Sequence, residues 1–150
     1  MQIRRHGRGY LFKCAKLPNR GTAGSAGLDL YCVEAAVLLP HIVTKFFTDI
    51  GVQCPLGHYG HVCPRSSLAL KGVIILAGVI DSDYQGSTQV VLENTSDELA
   101  TVEKHDRIAQ LLVKPVHMGT VIEVPRPQQI TQRGEGGFGS TDVSGAKVWV

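Results

Sequence analysis

Residues 78–86 read GVIDSDYQG and place two carboxylates, Asp81 and Asp83, and the phenol of Tyr84 at the end of an apolar run, Val73 to Ile80. That run is too short for a bilayer, which needs about 20 apolar residues, but has the length of a buried strand bounded by glycines. A second apolar stretch, Gln89 to Leu92, follows Gln85-Gly86, so the segment reads as a hairpin. In extended geometry Asp81 and Asp83 share one face, and each raises the other's pKa unless a cation or a hydrogen-bond donor comes between them. Such a pair is a candidate functional site. The competing reading is an Asx turn, in which the carboxylates only satisfy backbone amides.

Four other segments carry side chains with comparable potential. Pro64-Arg65-Ser66-Ser67, then Leu68-Ala69-Leu70-Lys71 and Gly72, reads as a capping serine, one or two helical turns and a glycine stop. Free amides at such a start, beside Arg65 and two hydroxyls, suit a phosphate, although capping alone also accounts for the serines. Residues 133–141, RGEGGFGST, hold too few apolar side chains to pack as a core element. Their glycines let a ligand approach the backbone, Arg133, Ser140 and Thr141 offer donors for phosphate, and Phe138 offers a flat face for a base. A glycine-rich tail without function is the alternative. Gln110 is the polar member of the run RIAQLLV and needs partners, either across a sheet or in a cavity that holds an anion. Asp29, the lone carboxylate of AGLDLYC, needs a cation or several donors if it is buried.

The elements that must position these groups are short. Stretches rich in Val, Ile and Thr alternate with glycines and prolines, and amphipathic runs of three helical turns are hard to find. Strands are expected near Leu28–Tyr31, Ala36–Leu39, Val43–Phe47, Gly51–Gln53, His58–Cys63, Ile74–Ile80, Gln89–Leu92 and Ile108–Val113. The spacing predicts an all-β sandwich or barrel of the jelly-roll kind with one short helix. At 150 residues, with no linker or repeat, the chain fits one domain, residues 1–150. A basic N-terminal arm covers about residues 1–13, with Arg4, Arg5, His6, Arg8 and Lys13, and is expected to be solvated and poorly ordered. A flexible C-terminal arm covers about residues 130–150.

Net charge is +2 with both signs interspersed, which argues against a nucleic-acid binder and for a small partner. Cys14, Cys32, Cys54 and Cys63 form no CxxC pair, and no secretory or transmembrane stretch is evident. The expectation is an intracellular protein, cytoplasmic or nuclear, without membrane attachment, structural zinc or disulfides, whose thiols serve as small hydrophobes.

Taken in order, AGLDLYC, PRSSLALKG, GVIDSDYQG, RIAQLLV and RGEGGFGST resemble the five motifs of the trimeric dUTPases, across most of the chain from Ala26 to Thr141. The resemblance implies a distorted jelly-roll subunit, a homotrimer with three sites shared between neighbouring chains, and hydrolysis of dUTP to dUMP and pyrophosphate with Mg2+ on the triphosphate. By that resemblance Asp81 is the base that orients and deprotonates the attacking water, and Asp29 approaches the metal through water. Tyr84 would pack against the deoxyribose, and backbone groups from Gly78 to Asp83 would read the uracil. Arg65, Ser66, Ser67 and Gln110 match phosphate contacts, while Arg133, Phe138, Gly139, Ser140 and Thr141 match an arm that closes over the nucleotide from another subunit.

Two positions depart from the family pattern, Ser67 and His105, each where glycine is usual. An added Cβ at residue 67 is expected to tilt an amide and weaken phosphate binding modestly, and His105 to occupy a solvated turn that tolerates positive φ. A different class of function is a dUTPase-fold protein that signals or binds a protein partner through its C-terminal tail, Val148-Trp149-Val150. The related dCTP deaminases are disfavoured by the complete RGEGGFGST arm, and zinc deamination by the lack of HxE and PCxxC pairs.

Overall fold

The computed structural model describes residues 1–6 and 14–136. The chain divides into two compact units, Met1–Met118 and Gly119–Val150. Every strand and the helix among the described residues belong to the first.

The elements run β1 (Gln2–Arg5), β2 (Leu28–Tyr31), β3 (Ala36–Leu38), β4 (Val43–Phe47), β5 (Ile50–Gln53), β6 (His58–Cys63), α1 (Ser66–Ala69), β7 (Val73–Ala77), β8 (Val79–Ile80), β9 (Gln89–Asn94), β10 (Ala100–Val102) and β11 (Arg107–Pro115). They form a four-stranded sheet ordered β2-β11-β6-β8, a three-stranded sheet β4-β9-β7, and the two-stranded ladders β1-β5 and β3-β10. All pairings are antiparallel, as expected of a jelly-roll barrel. Strand alternation sends Leu28 and Leu30 of β2, Val62 of β6 and Val90 and Leu92 of β9 into one core with Leu38, Ile50 and Leu111. The same alternation turns Asp29 and Gln110 to the outer face of the larger sheet, and fully burying each inward aliphatic contributes about 1.5–3 kcal/mol. A bulge between Arg107 and Ala109 breaks the alternation of β11 and lets Ile108 and Ala109 both be buried.

The structure corrects four local expectations. The run Val73 to Ile80 is two strands, not one buried strand: β7 pairs with β9 and β8 with β6, so the chain changes sheet at Gly78. Ile74, Leu76 and Val79 face out of the single chain. The basic N-terminus is no loose arm over its first residues, because β1 pairs with β5 from Gln2↔Gln53 to Arg5↔Ile50. The helix is one turn, capped at its start by Arg65 without a side-chain bond, so neither serine is the cap. It stops as expected, with Gly72 at φ 75°. His105 does adopt positive φ, 70°, but it is half-buried, and its Nε2 meets the Cys14 carbonyl at 2.7 Å. Ser67 sits in right-handed helix and is not among the positive-φ residues, so its Cβ costs no backbone strain.

All four cysteines are free. Cys32 and Cys54 are buried, and desolvation pushes both thiols above their ordinary pKa, as befits packing groups.

Candidate active site

Two clefts on the larger sheet gather Asp29, Arg65, Ser66 and Gln110 in one and Asp81 and Asp83 in the other. The first, of about 220 Å3, lies where β2 meets β11 and α1 begins, and is lined by Asp29, Arg65, Ser66, Arg107, Gln110, Ser25, Gly21 and Gly27. Asp29 projects outward because Leu28 and Leu30 on either side are drawn into the core. Its carboxylate accepts from Arg65 Nε at 3.1 Å and Arg107 Nη1 at 3.5 Å, and its side chain is only 13% exposed. Arg65 Nη1 also donates to the Arg107 carbonyl at 3.3 Å. Two guanidiniums against one carboxylate leave a net positive charge in a recess edged by the Ser66 hydroxyl. Among the described residues, the first amide of the turn with a carbonyl partner is that of Leu68, which leaves those of Ser66 and Ser67 available to a ligand. This arrangement suits a phosphate chain, which guanidiniums bind with two parallel donors.

Gln110 enters the same cleft through a glycine. A Cβ at Gly27 would overlap Gln110 Oε1, so the absence of a side chain there is what lets the amide lie flat and donate from Nε2 to the Pro64 carbonyl at 2.8 Å. The wall opposite is held by Arg20, whose Nη1 donates to the carbonyls of Ser25 and Ala26.

The second cleft, of about 630 Å3, lies at the other edge of the sheet, between the start of β6, the end of β8 and the end of β11. It is lined by Asp81, Ser82 and Asp83 together with His58, Tyr59, Val79, Val116 and Met118. Asp81 to Tyr84 form a β-turn closed by Tyr84 N–H on the Asp81 carbonyl at 3.1 Å, not an extended segment. Both carboxylates are exposed in the single chain. The Gly78 carbonyl is spent on the Val62 amide at 3.0 Å. Tyr84 lies over Gly86, where a Cβ would overlap its ring, and its hydroxyl donates to the Ser87 carbonyl at 3.1 Å.

The two clefts do not meet within one chain. Asp29 pairs through Gln110 to Cys63, whereas Ile80 pairs with Gly60, so Asp29 and Asp81 stand three strands and four residues apart. At about 4.8 Å per strand and about 3.3 Å per residue that is on the order of 20 Å. In the second unit Arg133 is described: its Nε donates to the Gly136 carbonyl at 2.9 Å, within a turn where Gly134 has φ 52°. Phe138, Gly139, Ser140, Thr141 and the tail Val148-Trp149-Val150 lie outside the described residues.

Among the described residues no three His, Cys, Asp or Glu side chains are grouped to hold a metal ion. Asp29 is already engaged by two arginines, so it fits a contact through water to an ion that arrives already coordinated, not direct ligation.

The family model for dUTPase matches residues 13–142. The chain belongs to the dUTPase family. It is 47% identical over 129 residues to the deoxyuridine 5'-triphosphate nucleotidohydrolase of Debaryomyces hansenii, covering 85% of this chain and 81% of the relative. The corresponding protein of Paramecium bursaria Chlorella virus 1 is 42% identical over 134 residues, covering 89% and 94%. Among solved structures, the G164S dUTPase of Staphylococcus bacteriophage 80alpha, bound to dUpNHpp, superposes with a TM-score of 0.84 at 27% identity, covering 95% of this chain and 98% of that one. The all-β dUTPase fold expected from the motifs is therefore the one adopted.

Within this dUTPase, Asp29, Arg65, Ser66 and Gln110 line one cleft, and Asp81 and Asp83 share the other. Tyr84 lines a neighbouring groove between β1 and β5 instead. Arg107 and Gly27 were missed. A buried Asp29 needs a cation or several donors, and the arginine that opens RIAQLLV is the available signal, but only the β2–β11 register shows that it reaches that carboxylate. No helix among the described residues is long and apolar enough to cross a membrane.

Proposed function

We propose that this chain hydrolyses dUTP to dUMP and pyrophosphate as a homotrimer whose sites are shared between subunits. The observation that carries this reading is the net-positive cleft of Arg65, Arg107, Ser66 and Gln110, separated by three strands from the Asp81 turn. A water activated by Asp81 must lie within about 3 Å of it, and the phosphorus under attack just beyond. A phosphate cleft on the order of 20 Å away on the same chain cannot hold that phosphate. The same cleft of a second copy can, and the outward-facing Val43, Phe47, Ile74 and Leu76 of the β4-β9-β7 sheet offer apolar surface for assembly.

In this reading Asp81 orients the water and takes its proton as the oxygen–phosphorus bond forms and pyrophosphate leaves with the opposite bond. Arg65, the Ser66 hydroxyl, the Ser66 and Ser67 amides and Gln110 hold the phosphates in line. Asp29 fixes both guanidiniums and would meet the substrate's ion through water. Magnesium carried on the triphosphate would neutralise its oxygens and hold the chain in one conformation. The Gly78 and Asp81 carbonyls and Tyr84 N–H are already paired, so base reading falls to the Asp81 N–H and the backbone of Ser82 and Asp83, and Tyr84 packs against the sugar. Arg133, Phe138, Gly139, Ser140 and Thr141 close over the nucleotide from another subunit and exclude water.

The test is pyrophosphate release from dUTP, UTP, dCTP and dTTP by wild type and Asp81→Asn. A positioned base contributes about 10²- to 10⁴-fold, so the variant should lose that much kcat while binding a non-hydrolysable dUTP analogue within a few-fold of wild type. No selective hydrolysis of dUTP by the wild-type trimer would sink the enzyme reading. Retained turnover in the variant would remove Asp81 as the base.

A further inference from the structure

The loop that carries Tyr84 is tied down from the N-terminal strand. Arg4 of β1 lies across β5, where a Cβ on Gly51 would come within 3.2 Å of both Arg4 Cγ and Nε. Its Nη2 donates to the carbonyl of Gln85, the residue that follows Tyr84. The same hypothetical Cβ would sit 3.4 Å from the Gly86 carbonyl, so Gly51 is the gap through which strand, arginine and loop approach one another. Further along, the loop is pinned independently of Arg4: Thr88 N–H donates to the Ile50 carbonyl at 2.7 Å and the Thr48 hydroxyl to the Thr88 carbonyl at 2.6 Å. Among the described residues, Arg4 is the side chain from outside the loop that holds Gln85 between the Asp81 turn and Thr88. Tyr84 and Gln85 share with Arg4 and Gly51 a groove of about 290 Å3.

We infer that Arg4 is a positioning residue for nucleotide selection: by clamping the Gln85 carbonyl it fixes the Tyr84 ring in the pose that leaves no room for a 2′-hydroxyl. The inference rests on the proposed packing of Tyr84 against the deoxyribose. Arg4 touches no reacting atom, so its loss acts on recognition and leaves the chemical step alone. Arg5 on the same strand supplies the contrast, since its Nε donates to the Ala15 carbonyl at 3.1 Å, away from the loop.

The experiment compares full-length Arg4→Met, Arg4→Lys and Arg5→Met with wild type, by steady-state kinetics on dUTP and UTP and by hydrogen exchange of residues 81–88 without nucleotide. One hydrogen bond to a charged donor at an exposed site predicts a KM for dUTP raised about 3- to 10-fold in Arg4→Met, with kcat within about twofold. The ratio of kcat/KM for dUTP over UTP should fall by a similar factor. Exchange across residues 81–88 should quicken, and Arg4→Lys, which keeps one donor, should recover part of each change. Arg5→Met should leave the ratio and the exchange as in wild type. An unchanged dUTP-to-UTP ratio in Arg4→Met, or an equal change in Arg5→Met, overturns the clamp. Should wild type fail to hydrolyse dUTP, the proposed function falls by itself. The exchange data then decide the clamp alone: acceleration confined to Arg4→Met upholds it, and no acceleration overturns it.

Discussion

Replacing Gly27 with alanine tests whether the phosphate cleft depends on a missing side chain. The new methyl would overlap Gln110 Oε1 and stand 3.0 Å from Gln110 Cβ and 3.1 Å from Cδ, so the glutamine must rotate away. Rotation forfeits the 2.8 Å bond to the Pro64 carbonyl, about 1 kcal/mol, and forces an off-rotamer side chain, about 0.5–1.5 kcal/mol. Lost glycine freedom in the unfolded chain offsets about 0.4–1 kcal/mol, since the backbone at residue 27 is not left-handed. The net destabilisation is about 1 kcal/mol, which for a chain of this size lowers Tm by about 2–4 °C. With the Gln110 amide displaced from the cleft, kcat/KM for dUTP should fall about tenfold, the loss of one phosphate contact. Thermal unfolding is measured at fixed protein concentration, because assembly contributes to apparent stability. In a Gln110→Ala background the Oε1 and Cδ clashes are gone, so the same substitution should cost less than half as much. If the full cost persists there, or if Gly27→Ala matches wild type in both stability and activity, the reasoning is wrong.

Shared sites predict complementation. Asp81→Asn and Arg65→Ala trimers should each be nearly inactive, and random mixed trimers should regain roughly a quarter of wild-type sites, whereas sites confined to one chain would regain none. Burial, reinforced by the charge of Glu34 and partly countered by His6, raises the Asp49 carboxyl above its ordinary pKa. The folded state therefore binds more protons there than the unfolded one, and stability is lost as pH rises through that window. Asp49→Asn keeps a side chain that tolerates the φ of 51° and should raise Tm at neutral pH, with no gain once the carboxyl is protonated in both states. Gly86→Ala should push the Tyr84 ring from its seat, raising KM for dUTP and weakening rejection of UTP; unchanged discrimination would show that the ring does not read the sugar.

Much of the fold was legible in the sequence because period-two alternation between apolar and polar residues declares which face is inward. Strands β2, β4 and β6 fall where the alternating stretches place them, and Gly72 ends the helix where a residue with positive φ is required. Val73 to Ile80 was not legible for the same reason: with every residue but one apolar, no alternation marks the change of sheet at Gly78. β1 was missed because QIRR looks like a solvated basic arm, and only pairing with β5 makes it a strand. At the site, residue types named the chemistry of Asp29, Arg65, Ser66, Gln110 and Asp81.

By itself the sequence determined the family, through five motifs in order, and the kinds of group available for phosphate and water, because those depend on side-chain type and local spacing. Only tertiary structure decided which groups meet. Pairing register brings Arg107 to Asp29 from 78 positions away, and strand order sets Asp81 on the far edge of the sheet from them. Hydrogen-bonded neighbours in a sheet are chosen by long-range packing of the core, which no local run of residues encodes.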